Sequence, residues 1–363
     1  MRIGIVAHSA FEEKRTGVEE YVHQLIRHLA MLPESKKHQF FLYSRKDGRL
    51  KNLPQNFIIK QLFAPFFWTQ GRLALEMLFH KPDALFSPTH VLPRIHPENS
   101  IVTIHGLEFE YFPEFYPSPH LRYLKFATRY AVSHAKKIIA VSQNTKDDLI
   151  MLYGINPQKI TVIHHGIHTD LHRRERRFAK TPYVLFLGTK EKKKNISGLI
   201  KALGILKEKY SIPHKLILAG GKPNKKFYKE ENIKKIIEDL KCKEDITNLD
   251  FVSEEEKWNL LKNAQVFVYP SFYEGFGMPI LEAQIAGAPV ITSNVSAMPE
   301  VAGEGAILID PKNIEEIARA IYKVINNQDL RNELISKGQE NVKRFSWEKC
   351  AKQTLSLLTN MCE

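Results

Sequence analysis

The sequence predicts an α/β protein of two domains, each a parallel sheet covered by helices, and three observations lead there. Short apolar strands alternate with segments whose apolar residues recur at helical spacing, the order that covers a parallel sheet on both faces. The chain is 363 residues long, too long for one ordinary core. A polar, basic and aperiodic stretch, HHGIHTDLHRRERRFAKTP (164–182), interrupts the alternation near the middle, as an interdomain connection would.

In the first half, MRIGIVA opens with a strand at 2–7. Residues 18–32 carry Val18, Tyr21, Val22, Leu25, Ile26 and Leu29 at helical spacing, and Pro33 ends the helix. Further strands are expected at 39–44, 57–61, 84–87, 101–105, 137–141 and 159–163, with helices near 69–80 and 120–134. Ser142 is placed to cap a helix running toward Tyr153. The run 62–79 holds Phe63, Phe66, Phe67, Trp68 and Phe79. It continues into helix-spaced apolar positions, so core packing is expected, a membrane-docking or lipid-acceptor surface being the other reading.

The second half opens with the strand YVLFLG (183–188), the lysine-rich turn TKEKKKN and a helix from Ile196 to about Lys207. HKLILAGG (214–221) is a strand entering a glycine turn, and 248–252 is another strand before a helix at 254–263. QVFVYP (265–270) leads into the stretch that organises the chain, PSFYEGFGMPILEAQIAGAPVITSNVSAMPE. There Gly275 and Gly277 allow a sharp turn, Pro279 suits a first helical position, and Gly287 suits the residue past the last turn. A strand at 305–310 and helices at 314–326, 330–345 and 347–358 complete the chain.

The chemistry of the organising stretch lies in Glu274 and Glu282, separated by seven residues. Ligands of open α/β sheets bind at the carboxyl ends of strands, where helix N-termini attract phosphate. Carboxylates only accept hydrogen bonds, so a pair of them beside an anion site fits hydroxyls. A ligand carrying both phosphate and hydroxyls is a sugar phosphate or a nucleotide sugar.

This stretch resembles the E-x7-E region of retaining glycosyltransferases of family 4 type, which have the GT-B fold: two Rossmann-like domains facing across a cleft. The resemblance implies that Glu274 contacts the donor sugar and Glu282 the nucleotide ribose, with Gly275, Phe276, Gly277, Met278 and Pro279 in the donor loop. The turn after Tyr183–Gly188 resembles the G-T-x-E-P-R-K-N donor-phosphate loop. It implies that Gly188 and Thr189 approach the donor and that Lys193 and Lys194 supply the cationic pair, with Lys190 a rival for the first role. Lysine brings charge without the bidentate fork of arginine. Gly220 and Gly221 match a segment beside the donor phosphates, and Gly17, in Thr16-Gly17-Val18, matches a glycine loop that approaches the donor. His105 ends the strand SIVTIH and resembles the family's strand-end histidine, which faces the donor sugar. Many relatives have Asp after it, where this chain has Gly106.

The implied domains are 1–170, binding the acceptor, 171–345, binding the nucleotide sugar, and a terminal helix at 346–363 that crosses back to the first domain. The implied reaction is transfer of a sugar to a glycan or lipid-linked acceptor in cell-surface polysaccharide synthesis, with GDP-mannose favoured, a UDP-sugar open, and no metal or other cofactor required. Composition agrees with a soluble globular chain: 43% hydrophobic and 26% charged, with no membrane-length apolar run. The three scattered cysteines and the start without a long apolar core lead to a cytoplasmic expectation. The formal charge of +13 is spread over both halves and favours anionic partners such as nucleotide sugars or anionic membrane. Nucleic-acid binding would explain that charge without explaining the carboxylates, so nucleic acid is not expected as a partner. A GT-B-like epimerase or phosphorylase is the other alternative.

Overall fold

A computed structural model of the chain describes all residues except 13–14, 16, 46–49, 51, 168–180, 222–226, 229–232, 239–242 and 362–363. Thr16, Cys242, Cys362 and most of the expected connector therefore lie outside the described residues. The first half contains β1 (Arg2–Val6), α1 (Gly17–Met31), β2 (Gln39–Ser44), β3 (Phe57–Gln61), α2 (Ala74–Phe79), β4 (Ala84–Ser87), β5 (Ser100–Ile104), α3 (Glu108–Tyr111), α4 (Ser118–His134), β6 (Lys137–Ala140), α5 (Gln143–Tyr153) and β7 (Ile160–Val162). The second contains β8 (Tyr183–Leu187), α6 (Ile196–Tyr210), β9 (Lys215–Ala219), α7 (Ile233–Glu238), β10 (Ile246–Leu249), α8 (Glu254–Asn263), β11 (Val266–Tyr269), α9 (Met278–Ala286), β12 (Val290–Ser293), α10 (Met298–Ala302), β13 (Ala306–Ile309), α11 (Ile314–Ile325), α12 (Gln328–Asn341) and α13 (Trp347–Asn360).

These elements form two compact units. One comprises Met1–Leu107, Arg122–Gly166 and Phe345–Glu363; the other comprises Glu108–Leu121 and Ile167–Arg344. Residues 108–121, counted with the first domain in the sequence reading, thus belong to the second unit. Their aromatic rings explain it. Tyr111 stacks on Tyr273 at 5.6 Å, and Phe112 lies 6.0 Å from Phe272.

The first unit holds a parallel seven-stranded sheet in the order β3-β2-β1-β4-β5-β6-β7. Strand order reverses between β1 and β4, and the strands are apolar on both faces because helices cover both. Helix α1 lays Tyr21, Val22, Leu25, Ile26 and Leu29 against the sheet, all of them buried. The Tyr21 hydroxyl and Thr103 Oγ1, 3.2 Å apart, tie α1 to β5. Ser142 accepts a hydrogen bond from the Thr145 amide and caps α5 as its sequence position suggests. The terminal helix α13 joins this unit: Trp347 and His165 stack with centroids 6.0 Å apart, and His165 stacks on Tyr21 at 4.7 Å.

One expectation fails in this unit. The aromatic run does not pack as core: Phe63, Phe66, Phe67 and Phe79 are all exposed, and of its aromatic rings only Trp68 is buried. The helix expected near 69–80 is present: Trp68–Leu73 winds as a wide π-helix that runs directly into α2, which ends at Phe79. Phe67, in the left-handed region (φ 51°), stops the helix from extending back into Phe63 and Phe66, while Leu75, Leu78 and Phe79 lie on exposed positions of α2.

The second unit holds a parallel six-stranded sheet in the order β10-β9-β8-β11-β12-β13. Its strand order reverses between β8 and β11, which pair directly at Val266 with Val184 and Phe267 with Leu185. Loops leaving the carboxyl ends of these two strands are neighbours by construction. They are the lysine-rich turn and the loop that carries Glu274.

His165 is fully buried, and burial, reinforced by His105 and His164, drives its pKa well below 6.5. Its neutral form is therefore the one the fold holds. That contribution is complete above about pH 6.5 and is lost as pH falls toward the folded-state pKa, at up to about 1.4 kcal/mol per pH unit. His165→Phe is expected to flatten the fall in melting temperature between about pH 6.5 and 5. An unchanged slope would show that His165 does not set acid sensitivity.

Candidate active site

The lysine-rich turn is shaped by short-range geometry. Lys192–Lys194 make one tight helical turn, and Asn195 follows in the left-handed region (φ 53°), which asparagine tolerates better than most residues. The Asn195 side chain donates to the Pro311 carbonyl at 2.6 Å, pinning the start of α6. On the neighbouring strand, the loop after β11 is bonded to this turn through its backbone: the Phe272 amide donates to the Lys193 carbonyl at 2.8 Å.

The side chains complete the link. Lys194 Nζ donates to Glu274 Oε1 at 2.7 Å and to the Tyr269 hydroxyl at 2.6 Å, with both ionic side chains about nine-tenths buried. Burial works against the Lys194 charge, but Glu274 and Tyr269 reverse that effect and hold its pKa above the ordinary lysine range. The Lys193 ammonium lies 3.1 Å from Glu108 and 3.6 Å from Glu191, and 5.6 Å from the centre of the Tyr228 ring. Burial opposes its charge too, and the two carboxylates again raise its pKa well above normal. Both lysines are therefore cations at any physiological pH, held in place by acceptors.

Lys190 serves a different purpose. Its ammonium donates to the Leu249 carbonyl at 2.6 Å and lies 3.4 Å from Asp250, fastening the turn to the end of β10. Thr189 donates its hydroxyl to Glu191 at 2.6 Å. Gly188 and Gly220 lie back to back at the ends of β8 and β9. A Cβ on Gly220 would come within 2.1 Å of the Gly188 carbonyl, so only glycine fits. Gly221 is the next residue, and its carbonyl accepts from the Lys190 amide at 3.1 Å. Gly277, at φ 102°, turns the chain into α9, with Met278 and Pro279 in the first turn and Phe276 buried beneath it. Gly275 sits buried in the same turn.

Two family descriptions match the chain, "Glycosyltransferase Family 4" over residues 15–171 and "Glycosyl transferases group 1" over residues 168–341. The chain is 30% identical over 291 residues to O-antigen chain mannosyltransferase B of Escherichia coli, covering 77% of this chain and 74% of that protein. This chain is a family 4, group 1 glycosyltransferase. It is also 29% identical over 274 residues to O-antigen chain mannosyltransferase RfbU of Salmonella typhimurium, covering 72% of each. The sucrose-phosphate synthase of Thermosynechococcus elongatus superposes with a TM-score of 0.80 over 99% of this chain and 98% of its own, at 18% identity. The fold is GT-B.

In this glycosyltransferase Lys193, Lys194, Glu274, Gly275 and Gly277 lie together in the second unit. Glu282 sits on α9 and accepts from Lys257 Nζ of α8 at 2.9 Å. One ammonium does not exhaust a carboxylate's capacity to accept. In the first unit, His105 lies at the end of β5, with Nε2 donating to the Pro88 carbonyl at 2.9 Å and its amide donating to His90 Nε2 at 3.2 Å. Its ring meets Tyr21 edge-on at 4.8 Å. Gly17 begins α1 in an exposed position with nothing within 4 Å of a would-be Cβ.

Several groups were not visible in the sequence. Glu108 belongs to a segment 85 residues from Lys193, and no local spacing links them. Tyr269 read only as a strand residue, and Lys257 only as part of a helix. A cavity of about 340 Å³ in the second unit, lined by Phe112, Phe272, Asn294, Asp310 and Lys312 among others, is formed by none of the residues named from the sequence. Among the described residues no group of three or more His, Cys, Asp or Glu is arranged to hold a metal ion.

Lys194→Met leaves the Glu274 carboxylate buried without its cation and should lower stability by about 3–5 kcal/mol. Glu274→Gln should have a comparable effect in reverse. Chemical denaturation of both variants and of the double variant is expected to show a combined loss smaller than the sum by more than about 1 kcal/mol. Simple additivity would mean the two residues are uncoupled.

Proposed function

We propose that this glycosyltransferase moves mannose from GDP-mannose to a growing, lipid-linked glycan at the inner face of a membrane, with retention of anomeric configuration. The observation that carries the reading is the 2.7 Å approach of Lys194 to Glu274. It puts a permanent cation, suited to a diphosphate, beside an acceptor suited to sugar hydroxyls. The choice of mannose is supported by two O-antigen mannosyltransferases to which the chain is similar. The same names support transfer to an acceptor over epimerisation, phosphorolysis or nucleic-acid binding.

In this reading Lys193 and Lys194 neutralise charge on the departing nucleoside diphosphate, a role that a bound metal ion fills in other transferases. Glu274 orients the donor sugar, and Glu282 receives the ribose hydroxyls while still bonded to Lys257. His105 contributes a hydrogen bond near the sugar and does not attack it. The leaving phosphate assists attack of the acceptor hydroxyl from its own face, which keeps the configuration without a covalent enzyme intermediate.

A thermal-shift panel of GDP-, UDP- and ADP-sugars is expected to show the largest stabilisation with GDP-mannose; a larger shift with a UDP-sugar would overturn the donor assignment. Lys193→Gln, checked for retained secondary structure, should lose about 10²–10³ in kcat. Turnover near that of the unaltered protein would remove Lys193 from the mechanism.

A further inference from the structure

None of the residues proposed to bind the donor belongs to the exposed aromatic run of the first unit. Phe63, Phe66 and Phe67 are 76%, 79% and 86% exposed, and Leu75, Leu78 and Phe79 follow on α2 with roughly half or more of their surface in water. The display is built. Trp68 is buried with its indole N–H donating to the Leu62 carbonyl at 2.6 Å, which anchors the segment from inside. Phe67, next to it, is held in a left-handed conformation that strains a bulky residue. Exposed rings are unfavourable for an isolated chain in water, and that cost is relieved where the rings enter an apolar phase.

The charge around the rings is one-sided. Between residues 57 and 82 stand Lys60, Arg72 and Lys81 against a single carboxylate, Glu76. That carboxylate is buried and neutralised by Lys60 and Arg72, each at 3.2 Å. Exposed Arg45 lies over the Trp68 ring at 5.3 Å, and exposed Arg94 is joined to the segment through Gln70.

We propose that this face, centred on Phe66 and Phe67, docks the first unit on an anionic lipid bilayer. Aromatic rings enter the headgroup–acyl boundary while the arginines and lysines meet lipid phosphates. Charge complementarity selects this occupant over a second copy of the chain, whose symmetric approach would bring the same cations face to face. Among the described residues no helix is long and apolar enough to cross a membrane, so docking is peripheral. The inference does not depend on which donor is used or on the roles of Lys193 and Glu274.

Co-sedimentation with vesicles tests it. The protein is expected to partition onto phosphatidylglycerol-containing vesicles several-fold more strongly than onto pure phosphatidylcholine, and added salt should reduce the binding. Phe66→Ser/Phe67→Ser should weaken partitioning at least about tenfold, the consequence of withdrawing even half the apolar area of two phenyl groups. Phe79→Ser should weaken it independently, whereas Phe251→Ser, at an exposed phenylalanine of the second unit, should not. Melting temperature and transfer to a short, water-soluble acceptor should stay unchanged in all of these variants. Undiminished binding by the double variant, or equal binding to neutral and anionic vesicles, would overturn the proposal. So would lipid-free self-association that the double variant abolishes, since the face would then meet a second copy.

Discussion

The buried contact between Lys194 and Glu274 is the constraint on which the arrangement of the second unit's two loops depends. Neither charge is tolerable alone at that depth. Together, and with the Tyr269 hydroxyl, they fix the relative position of two loops that are 80 residues apart in the chain. The bond is possible only because β8 and β11 are adjacent and parallel, so that their carboxyl ends open on the same side where strand order reverses. The backbone bond from Phe272 to Lys193 then sets the register of one loop on the other.

That geometry gives a site whose charges are prearranged. Each lysine is held by acceptors that raise its pKa, so neither must be ionised or reoriented when an anion arrives. Glu108 and Glu191 hold the Lys193 ammonium at 3.1 and 3.6 Å. Lysine suits this arrangement. A compact ammonium shares several acceptors around one point, whereas a planar guanidinium commits itself to a matched pair.

Much of this was legible in the sequence because it is local. Strand runs such as QFFLYS and FIIKQ, the Ser142 cap and the glycine turns are short-range patterns, and each was found where its chemistry predicts. Other features depend on contacts between distant segments, and no periodicity encodes those. The partnership of Glu108 with Lys193 is one, and Lys257 with Glu282 is another. The aromatic run misled for a different reason. Its apolar spacing does give a helix, but the structure buries Trp68 and leaves Phe63, Phe66 and Phe67 before it and Leu75, Leu78 and Phe79 after it exposed. Residues 108–121 were assigned by chain order to the first domain, although their tyrosine and phenylalanine rings pack on the loop after β11.

The account rests on one pocket of the second unit holding a diphosphate by its lysines and a sugar by its carboxylate. A crystal structure with an intact, non-hydrolysable nucleotide sugar tests this most directly. It is expected to show diphosphate oxygens within about 3 Å of the Lys193 or Lys194 ammonium and a donor-sugar hydroxyl donating to Glu274. A donor bound with its phosphates remote from both lysines, or with its sugar turned away from Glu274, would contradict it.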